Sequence, residues 1–558
     1  MIIQRARFAL LLFLFFTPLT WAEQFPNAAI ASAHPLATLA GREMLDQGGN
    51  AFDAAIAVAG VLAVVEPYNS GLGGGGFFLL HRARDGRQVM LDAREKAPLA
   101  ARSDMYLDQK GEPIAQASLA GPLAAAIPGL PAGLAHLAKR YGRLPLRQSL
   151  SAAIRLAEEG FPIDARYRAM AESQLMLLQS HSATAQQFLT EGTVPKIGEL
   201  LKQPQLAVSL RMLAQQGSKG FYRGPVARAM VAAVRAQGGI WTQADLTRYQ
   251  VKERAPIVFG YRGLRIVSAA PPSAGGLTLA GTLNILARYD LAQQSRAQQM
   301  HLVAEALRRA YHDRARYLGD ADFVRIPTAT LLSPAYAEQR AASIDLNNAT
   351  LSASLDVASR VKQGDHTTHF SIVDRAGNRV AATLSINTLF GSGFVAGNTG
   401  VLLNNEMDDF AASEQAQNVY GLAGSRANRI APGKRPLSSM SPTFVESQRG
   451  VLMLGTPGGS RIISMVLLAI LGLEASPVPD VAALAGAPRF HHQYLPDRIE
   501  VEPDAFSAAV LDELALKGHV VHIAPGKWGN MQAVWIDRAS GRAFAASDPR
   551  GAGGALAW

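Results

Sequence analysis

Two runs of alternating polar and apolar residues, separated by a short turn-rich segment, constrain the fold more than any other feature of the chain. The runs are Thr368–Val373 and Arg379–Ile386, and the segment between them is Asp374–Asn378, with the sequence DRAGN. Alternation on both sides of a segment that contains Asp, Gly and Asn is typical of a β-hairpin. The sequence therefore predicts an antiparallel pair of strands here.

A turn centred on Ala376 places Thr367 opposite Ser385 and His369 opposite Thr383. Because side chains alternate across a strand, these four residues share one polar face of the hairpin. A shift of one residue would mix polar and apolar side chains on both faces, so the pattern favours this register. The polar face also contains Ser371 and Asn387, and the other face contains Phe370, Ile372, Val380, Leu384 and Ile386.

The residues before the hairpin suggest a chemical role for its first threonine. On periodicity alone, a solvated hairpin at a sheet edge is the simpler interpretation, because Thr is common in strands. Residues 345–366, however, are polar and lack a sustained apolar period, so we expect an exposed loop that can be cut. Cleavage between His366 and Thr367 would give the threonine a free α-amino group beside its hydroxyl. That pair supplies a nucleophile and a base in one residue.

The segment Thr367–Phe410 resembles the processing and catalytic region of the γ-glutamyltranspeptidase (glutathione hydrolase) family. The resemblance continues in chain order through GGNAFDAA, NSGLGGGGF, LDAREKAP and YHDRARYLGD upstream, and RPLSSMSP, GTPGGSR and APRFHHQ downstream. It implies an α+β N-terminal-nucleophile hydrolase fold, a four-layer αββα sandwich of two packed β-sheets between helical layers. It also implies a precursor that cuts itself into a large subunit, 23–366, and a small subunit, 367–558, which form a heterodimer.

The same resemblance implies a role for each site residue. Thr367 is the nucleophile and its α-amino group the base, Ser385 positions the nucleophile, and the amides of Gly458 and Gly459 form the oxyanion hole. No metal or other cofactor is implied. The implied substrate-binding residues are Arg94, Ser438 and Ser439 for a carboxylate, Asn387, Glu406 and Asp409 for an ammonium group, and Tyr420 as the gate of a lid within 411–430.

Ser385 departs from the family pattern, which usually has threonine at this position. The hydroxyl is retained and one methyl group is lost, so we expect catalysis to persist with a less restricted side chain.

Local sequence leaves other interpretations open for several of these residues. Gly458 and Gly459 lie between a predicted strand, Val451–Leu454, and a predicted helix, Arg461–Leu473, where free amides favour an anion. Close helix packing would explain the glycines equally well. Arg94 follows a predicted hairpin, a position where arginine is usually solvated. The three acids within 404–410 are otherwise typical of a solvated turn or a metal site.

Most of the remaining chain is predicted to be scaffold. Helical spacing covers Leu36–Leu45, Phe52–Val65 and most of 122–342, and we assign His312 and Arg314 to this scaffold. The glycine-rich NSGLGGGGF lacks the Lys-Ser or Lys-Thr and the following helix of a phosphate-binding loop, so it indicates close backbone packing at the start of a strand. The adjacent His491 and His492, without further ligands, are weak evidence for a metal.

The first 22 residues have a basic start and an apolar run from Phe8 to Phe16, which predicts a signal peptide cleaved after Ala22. The run is too short to span a bilayer, so we expect a periplasmic or secreted protein without stable membrane insertion. The chain has no cysteine, which excludes disulfides and thiol catalysis. The net charge of +10 comes from scattered Lys and Arg, and no motif supports nucleic-acid binding.

The predicted substrates are glutathione and other γ-glutamyl compounds, with water, amino acids or dipeptides as acceptors. An acylase of the same architecture, acting on glutaryl-β-lactams or polyglutamate, is the closest alternative. Glutaryl groups lack the α-amino group that Asn387, Glu406 and Asp409 would bind, which favours γ-glutamyl substrates. An alternative from another class is an inactive exported binding protein, which would stay uncut.

Overall fold

A computed structural model describes residues 25–355, 366–411 and 426–558. The predicted signal peptide and the predicted lid residue Tyr420 lie outside these ranges. No helix within them is long and apolar enough to cross a bilayer.

The strands of the described chain form two large antiparallel sheets and two small sheets. Their bounds are β1 Ala29–Ser32, β2 Gly75–Arg82, β3 Arg87–Ala93, β4 Phe161–Pro162, β5 Leu200–Leu201, β6 Lys252–Arg254, β7 Ile257–Tyr261, β8 Leu264–Ser268, β9 Thr368–Val373, β10 Arg379–Ser385, β11 Thr443–Glu446, β12 Gly450–Gly455, β13 Phe490–His491, β14 Ile499–Val501, β15 Val521–Ile523, β16 Gln532–Asp537, β17 Ala543–Ser547 and β18 Gly554–Ala557.

The helices pack mainly outside the two large sheets. Their bounds are α1 Pro35–Asp46, α2 Ala51–Val65, α3 Leu130–Arg140, α4 Leu146–Ser149, α5 Ser151–Glu159, α6 Ala165–Ser173, α7 Leu175–Gln179, α8 Ser182–Phe188, α9 Pro204–Gln216, α10 Ser218–Tyr222, α11 Gly224–Ala236, α12 Gln243–Thr247, α13 Gly275–Leu286, α14 Arg296–Tyr317, α15 Thr328–Leu331, α16 Pro334–Ala342, α17 Arg461–Ala475, α18 Val481–Gly486 and α19 Ala508–Leu516.

The two large sheets stack face to face between helical layers. The first has the order β18-β1-β9-β10-β2-β3-β6, and the second has the order β17-β16-β12-β11-β8-β7. One apolar core joins the first sheet to α1, α2 and α5, and another joins the second sheet to α13, α14 and α17. A smaller core, which includes Leu79, Phe444 and Met453, lies between the sheets. This arrangement confirms the predicted four-layer αββα sandwich.

The predicted hairpin has the expected register but not a solvated edge position. β9 and β10 pair His369 with Thr383 and Ser371 with Ala381, as the alternation predicts. They are the central strands of the seven-stranded sheet, flanked by β1 and β2. The edge interpretation is wrong because a polar face can also lie against a second sheet, as this one does.

The turn of the hairpin ties the first sheet to its helical layer. Gly377 has φ +82°, which favours glycine, and the Asp374 carboxylate accepts hydrogen bonds from the Asn378 amide at 2.9 Å and the Ala51 amide at 2.9 Å. Ala51 begins α2, whose side chains are buried on all sides. Such an apolar helix needs neighbours all round, which α1, α5 and the sheet supply.

The glycine-rich segment before β2 packs tightly against neighbouring backbone, as predicted. A Cβ atom on Gly74 would lie 2.1 Å from the Ser385 carbonyl oxygen, and one on Gly75 would lie 2.3 Å from the Ala93 carbonyl oxygen. No side chain fits at these distances, so glycine lets β2 lie directly beside the strand that ends in Ser385.

Strands from the two predicted subunits are interleaved in the first sheet. β1 precedes the predicted cut in sequence, yet it lies between β18 and β9, which both follow the cut. β10 in turn pairs with β2 from the upstream part. The chain on either side of the His366–Thr367 bond therefore forms one interleaved unit.

Candidate active site

Thr367 lies immediately before β9 and is 3% exposed. The polar face that it begins points towards the second sheet, where its side chains are hydrogen-bonded. His369 Nδ1 lies 2.8 Å from Thr383 Oγ1, and Ser371 Oγ donates to the Gln532 carbonyl at 3.1 Å. Burial lowers the pKa of His369 to about 3, so this histidine is neutral at working pH. The polar residues that alternate along β9 and β10 therefore form a polar layer between the two sheets.

The peptide bond proposed for cleavage lies beside Ser385. The Ser385 hydroxyl contacts the His366 carbonyl oxygen at 3.4 Å and accepts a hydrogen bond from the Asn387 amide at 2.8 Å. Because the backbone amide of Asn387 donates to the Ser385 oxygen, the hydroxyl proton of Ser385 remains available for donation to the His366 carbonyl oxygen. Burial and the nearby Arg166 lower the pKa of His366 to about 3, so the imidazole here is uncharged.

On the opposite face, Thr368 is held by Glu66, a residue that the sequence interpretation did not single out. Thr368 Oγ1 donates to Glu66 Oε2 at 2.8 Å, and the Tyr68 hydroxyl contacts Glu66 Oε1 at 3.3 Å. Burial raises the pKa of the Glu66 carboxyl group. This contact fixes the backbone at the start of β9, so it also fixes Thr367.

Thr367 lines a pocket together with most of the predicted substrate-binding residues. The pocket holds about 310 Å³ of space when its open mouth is included. Gly458 is not among its lining residues. The lining residues are Arg94, Arg314, Thr367, Ser385, Asn387, Glu406, Asp409, Leu437, Ser438, Ser439, Met440, Gly459 and Ile462.

Arg94 is buried and paired with acids instead of being solvated. Its Nη1 lies 2.6 Å from Glu406 Oε2 and 3.4 Å from Glu95 Oε2, and its Nη2 pairs with Asp409. Burial alone would lower the pKa of Arg94, but Glu406 and Asp409 outweigh it and raise that pKa. The Tyr249 hydroxyl donates to the Arg94 carbonyl at 2.7 Å and fixes the backbone.

The acids beside Arg94 form a buried 3-10 turn, Glu406–Asp409, and not a solvated turn. Burial raises the pKa of Glu406, with Arg94 opposing the change, and burial also raises the pKa of Glu95 to about 7. Glu406 Oε1 is buried and has no hydrogen-bond partner among the described residues. A guanidinium group and two acids side by side can receive a ligand that carries one carboxylate and one ammonium group.

The other predicted binding residues within the described chain come from two loops around the charged centre formed by Arg94, Glu406 and Asp409. Asn387 has φ +76°, and its side-chain amide donates to the Asn405 carbonyl at 3.0 Å. The Ser438 hydroxyl accepts from the Met440 amide at 3.1 Å. The Ser439 hydroxyl accepts from Arg314 Nη2 at 3.1 Å. Arg314 was assigned to the scaffold on sequence, but the structure brings it into the pocket.

Gly458 and Gly459 form the turn between β12 and α17, where the sequence predicted them. Their φ angles are +139° and +52°, which favour glycine. Neither amide donates a hydrogen bond to another described residue. The turn is anchored by the Tyr311 hydroxyl, which donates to the Ser460 carbonyl. Two free amides at the start of a long helix can stabilise a negative charge.

The adjacent histidines, by contrast, are structural. His491 Nδ1 lies 2.8 Å from Ser464 Oγ, and His492 Nε2 lies 3.5 Å from Asp497 Oδ1. Burial is the main cause that lowers the pKa of each imidazole to about 4.

Stacked antiparallel sheets between helical layers, with a threonine at the head of a central strand, define the class of N-terminal-nucleophile hydrolases. The chain belongs to the γ-glutamyltranspeptidase family, because the family model described as gamma-glutamyltranspeptidase matches residues 37–558. One relative, the glutathione hydrolase proenzyme of Escherichia coli (strain K12), is 42% identical over 526 residues, covering 93% of this chain and 90% of the relative.

Two solved structures illustrate the range of this fold. A cephalosporin acylase from Bacillus halodurans matches with a TM-score of 0.82 at 27% identity and covers 96% of both chains. The Helicobacter pylori gamma-glutamyltranspeptidase matches with a TM-score of 0.57 at 39% identity and covers 58% of this chain and 94% of that chain.

Proposed function

We propose that this chain is an exported proenzyme that cuts itself between His366 and Thr367 and then transfers γ-glutamyl groups. Its donors are glutathione and related γ-glutamyl compounds, and its acceptors are water, amino acids or dipeptides. The observation that supports this proposal most is the pocket in which Thr367 lies with the buried Arg94 and the acids Glu406 and Asp409. No cofactor takes part in the proposed chemistry.

The first stage makes the catalyst. The Thr367 hydroxyl attacks the His366 carbonyl carbon, the bond to the Thr367 nitrogen breaks, and the hydroxyl proton ends on that nitrogen. Ser385 donates a hydrogen bond to the carbonyl oxygen while negative charge develops on it. Water then hydrolyses the ester, which leaves a carboxylate on His366 and a free hydroxyl and α-amino group on Thr367.

The second stage uses the new α-amino group as a base. Its unperturbed pKa of about 7.7 to 8.0 lies near working pH, so it can accept the Thr367 hydroxyl proton. Thr367 Oγ attacks the γ-carbonyl carbon, the amine leaves with that proton, and a γ-glutamyl ester remains on the enzyme. The amides of Gly458 and Gly459 donate to the oxyanion, a contribution of roughly 3 to 4 kcal/mol per donor. Water or an acceptor amine completes the cycle.

The charged centre of the pocket recognises the α-amino acid end of the donor. Its carboxylate binds Arg94, Ser438 and Ser439, and its ammonium group binds Asn387, Glu406 and Asp409. The donor thereby separates Arg94 from the two acids and gives each a new partner of opposite charge. A donor with only one charged end would leave one buried group unpaired, so we expect it to react more slowly than a donor that carries both.

The mature enzyme is a heterodimer of 23–366 and 367–558 in the periplasm or outside the cell. Export rests on the signal peptide, 1–22, and the lid role proposed for Tyr420 rests on the family resemblance.

The structural match to a cephalosporin acylase favours one alternative, an acylase acting on glutaryl-β-lactams or polyglutamate. A γ-glutamyl anilide and its glutaryl analogue differ only in the α-amino group and separate the two activities. We expect preference for the γ-glutamyl compound because Glu406 and Asp409 would face an ammonium group. Preference for the glutaryl compound would replace the proposal by the acylase.

Cleavage is tested by comparing the natural chain with Thr367→Ala on a denaturing gel, with sequencing of the new N-terminus. We expect two fragments, the smaller beginning at Thr367, and release of anilide only from the cut protein. Thr367→Ala should stay as one chain with activity lowered by roughly a thousandfold or more. An uncut natural chain that hydrolyses glutathione at full rate contradicts the proposal, and an uncut inactive chain indicates a binding protein.

A further inference from the structure

Arg314 is a buried arginine without a carboxylate partner. It lies on α14, is 4% exposed and lines the same pocket as Thr367. Among the residues that the structure describes, no carboxylate lies within ion-pair distance of it, and its Nε has no hydrogen-bond partner. The adjacent Asp313 pairs with Arg340 instead. The other buried arginines of the described chain each pair with an acid: Arg94, Arg308, Arg309, Arg435, Arg461 and Arg489.

An unpaired buried guanidinium group is costly, because burial removes its hydration without supplying an opposite charge. This burial lowers the pKa of Arg314, with Tyr311 and Asp409 opposing the change. Asp409 itself is already engaged by Arg94. The position therefore favours an anion that enters the pocket from outside the protein.

The hydrogen bond between Arg314 and Ser439 connects the guanidinium group to an anion in the pocket. Arg314 Nη2 donates to Ser439 Oγ at 3.1 Å, so the serine oxygen acts as an acceptor on that side. The serine hydroxyl has no other hydrogen bond to a described residue. Its proton therefore remains available for donation into the pocket that Ser439 lines.

We propose that Arg314 is a positioning residue for substrate recognition, which holds Ser439 as a hydrogen-bond donor to the α-carboxylate of the donor substrate. The positive charge of Arg314, next to Ser439, strengthens the hydrogen bond from the serine to the carboxylate. It also adds to the attraction between Arg94 and that carboxylate. The inference rests on the proposed γ-glutamyl transfer and deepens it, because it makes the α-carboxylate subsite dependent on two arginines.

The test compares two anilides in the mature enzyme. One is the γ-glutamyl anilide, and the other is the 4-aminobutyryl anilide, which keeps the amine but lacks the α-carboxylate. For Arg314→Gln we expect the KM of the γ-glutamyl anilide to rise by roughly ten- to a hundredfold, with kcat changed much less. The kcat/KM for the 4-aminobutyryl anilide, measured with excess enzyme, should stay within about twofold of the natural value. Equal losses with both anilides would show a merely structural role.

Two further variants keep the test decisive if Arg314→Gln matures poorly. Arg314→Lys retains a charge, so we expect it to recover part of the lost affinity for the γ-glutamyl anilide alone. In a Ser439→Ala background, replacing Arg314 should cost much less than it does in the natural enzyme, because the serine that it orients is gone. Additive losses, or no recovery with lysine, would overturn the inference. If the natural enzyme releases no anilide from the γ-glutamyl compound, the proposed function fails instead.

Discussion

Ser385 connects the sequence to the chemistry at the scale of single residues. It ends β10, contacts the His366 carbonyl oxygen, and has its own oxygen oriented by the Asn387 amide. Alternation along the hairpin was sufficient to pair it with Thr367, because strand geometry decides which side chains share a face. Arg314, Glu66 and Glu95 were not predicted, because their distance from Thr367 depends on how separate helices and loops pack.

Replacing Ser385 should therefore change self-cleavage before it changes folding. For Ser385→Ala we expect cleavage slowed by about a hundredfold, because one donor to the developing oxyanion is lost. The measurement is the fraction of cut chain over time on a denaturing gel. Ser385→Thr is the matched control, since it keeps the hydroxyl and adds the methyl group that is usual in the family. We expect Ser385→Thr to mature faster through its stiffer side chain, and equal rates would deny the methyl group any importance.

At the scale of elements, the hairpin shows what periodicity can and cannot predict. Its strand bounds, turn and register follow from local alternation and from Asp374, Gly377 and Asn378. Its position in the middle of the sheet does not follow from local alternation, because polar side chains can form hydrogen bonds either with solvent or within a polar layer between two sheets. His369, Thr383 and Ser371 satisfy one another and the second sheet in place of water.

The close approach of β12 to this polar layer leads to a second prediction. A Cβ atom on Gly455 would lie 2.3 Å from the His369 ring, so Gly455→Ala must displace the imidazole or the strand. We expect a loss of about 1 to 3 kcal/mol in the free energy of unfolding, with slower cleavage at Thr367. Thermal unfolding of the uncut Thr367→Ala background measures the first effect.

Gly526→Ala is the control for this change, because an added Cβ atom there meets no atom within 4 Å. Equal stability of the Gly455 and Gly526 variants would mean that the two sheets can move apart at this point without cost.

At the scale of the whole molecule, the layers could be inferred from the family resemblance, while the buried polar interior could not. Helical spacing predicted α1, α2 and α17 to within a few residues. Composition gave no sign that several histidines lie neutral in the interior. One example is the pair His301 and His519, whose Nδ1 and Nε2 atoms are 2.8 Å apart. Burial, with His301 and His492 nearby, lowers the pKa of His519 to about 3.

This pair predicts acid sensitivity with a definite sign. An unfolded histidine binds a proton below about pH 6.5 and the folded His519 does not, so its contribution to stability is complete above that pH. It is lost as the pH falls towards 3, by up to about 1.4 kcal/mol per pH unit. We expect His519→Gln to make the decline of unfolding free energy between pH 6.5 and 4 less steep. The exposed His522→Gln should leave the slope unchanged, and identical slopes in both variants would contradict the assignment.

The position of β1 between two strands that follow the proposed cut has a consequence for the mature enzyme. Before cleavage, unfolding and refolding are events within one molecule, and the covalent link returns the strands to each other. After cleavage, two chains that come apart must find each other again in solution, so recovery depends on protein concentration. The proposed self-cleavage therefore gives the enzyme its catalyst and removes its ability to renature as a single molecule.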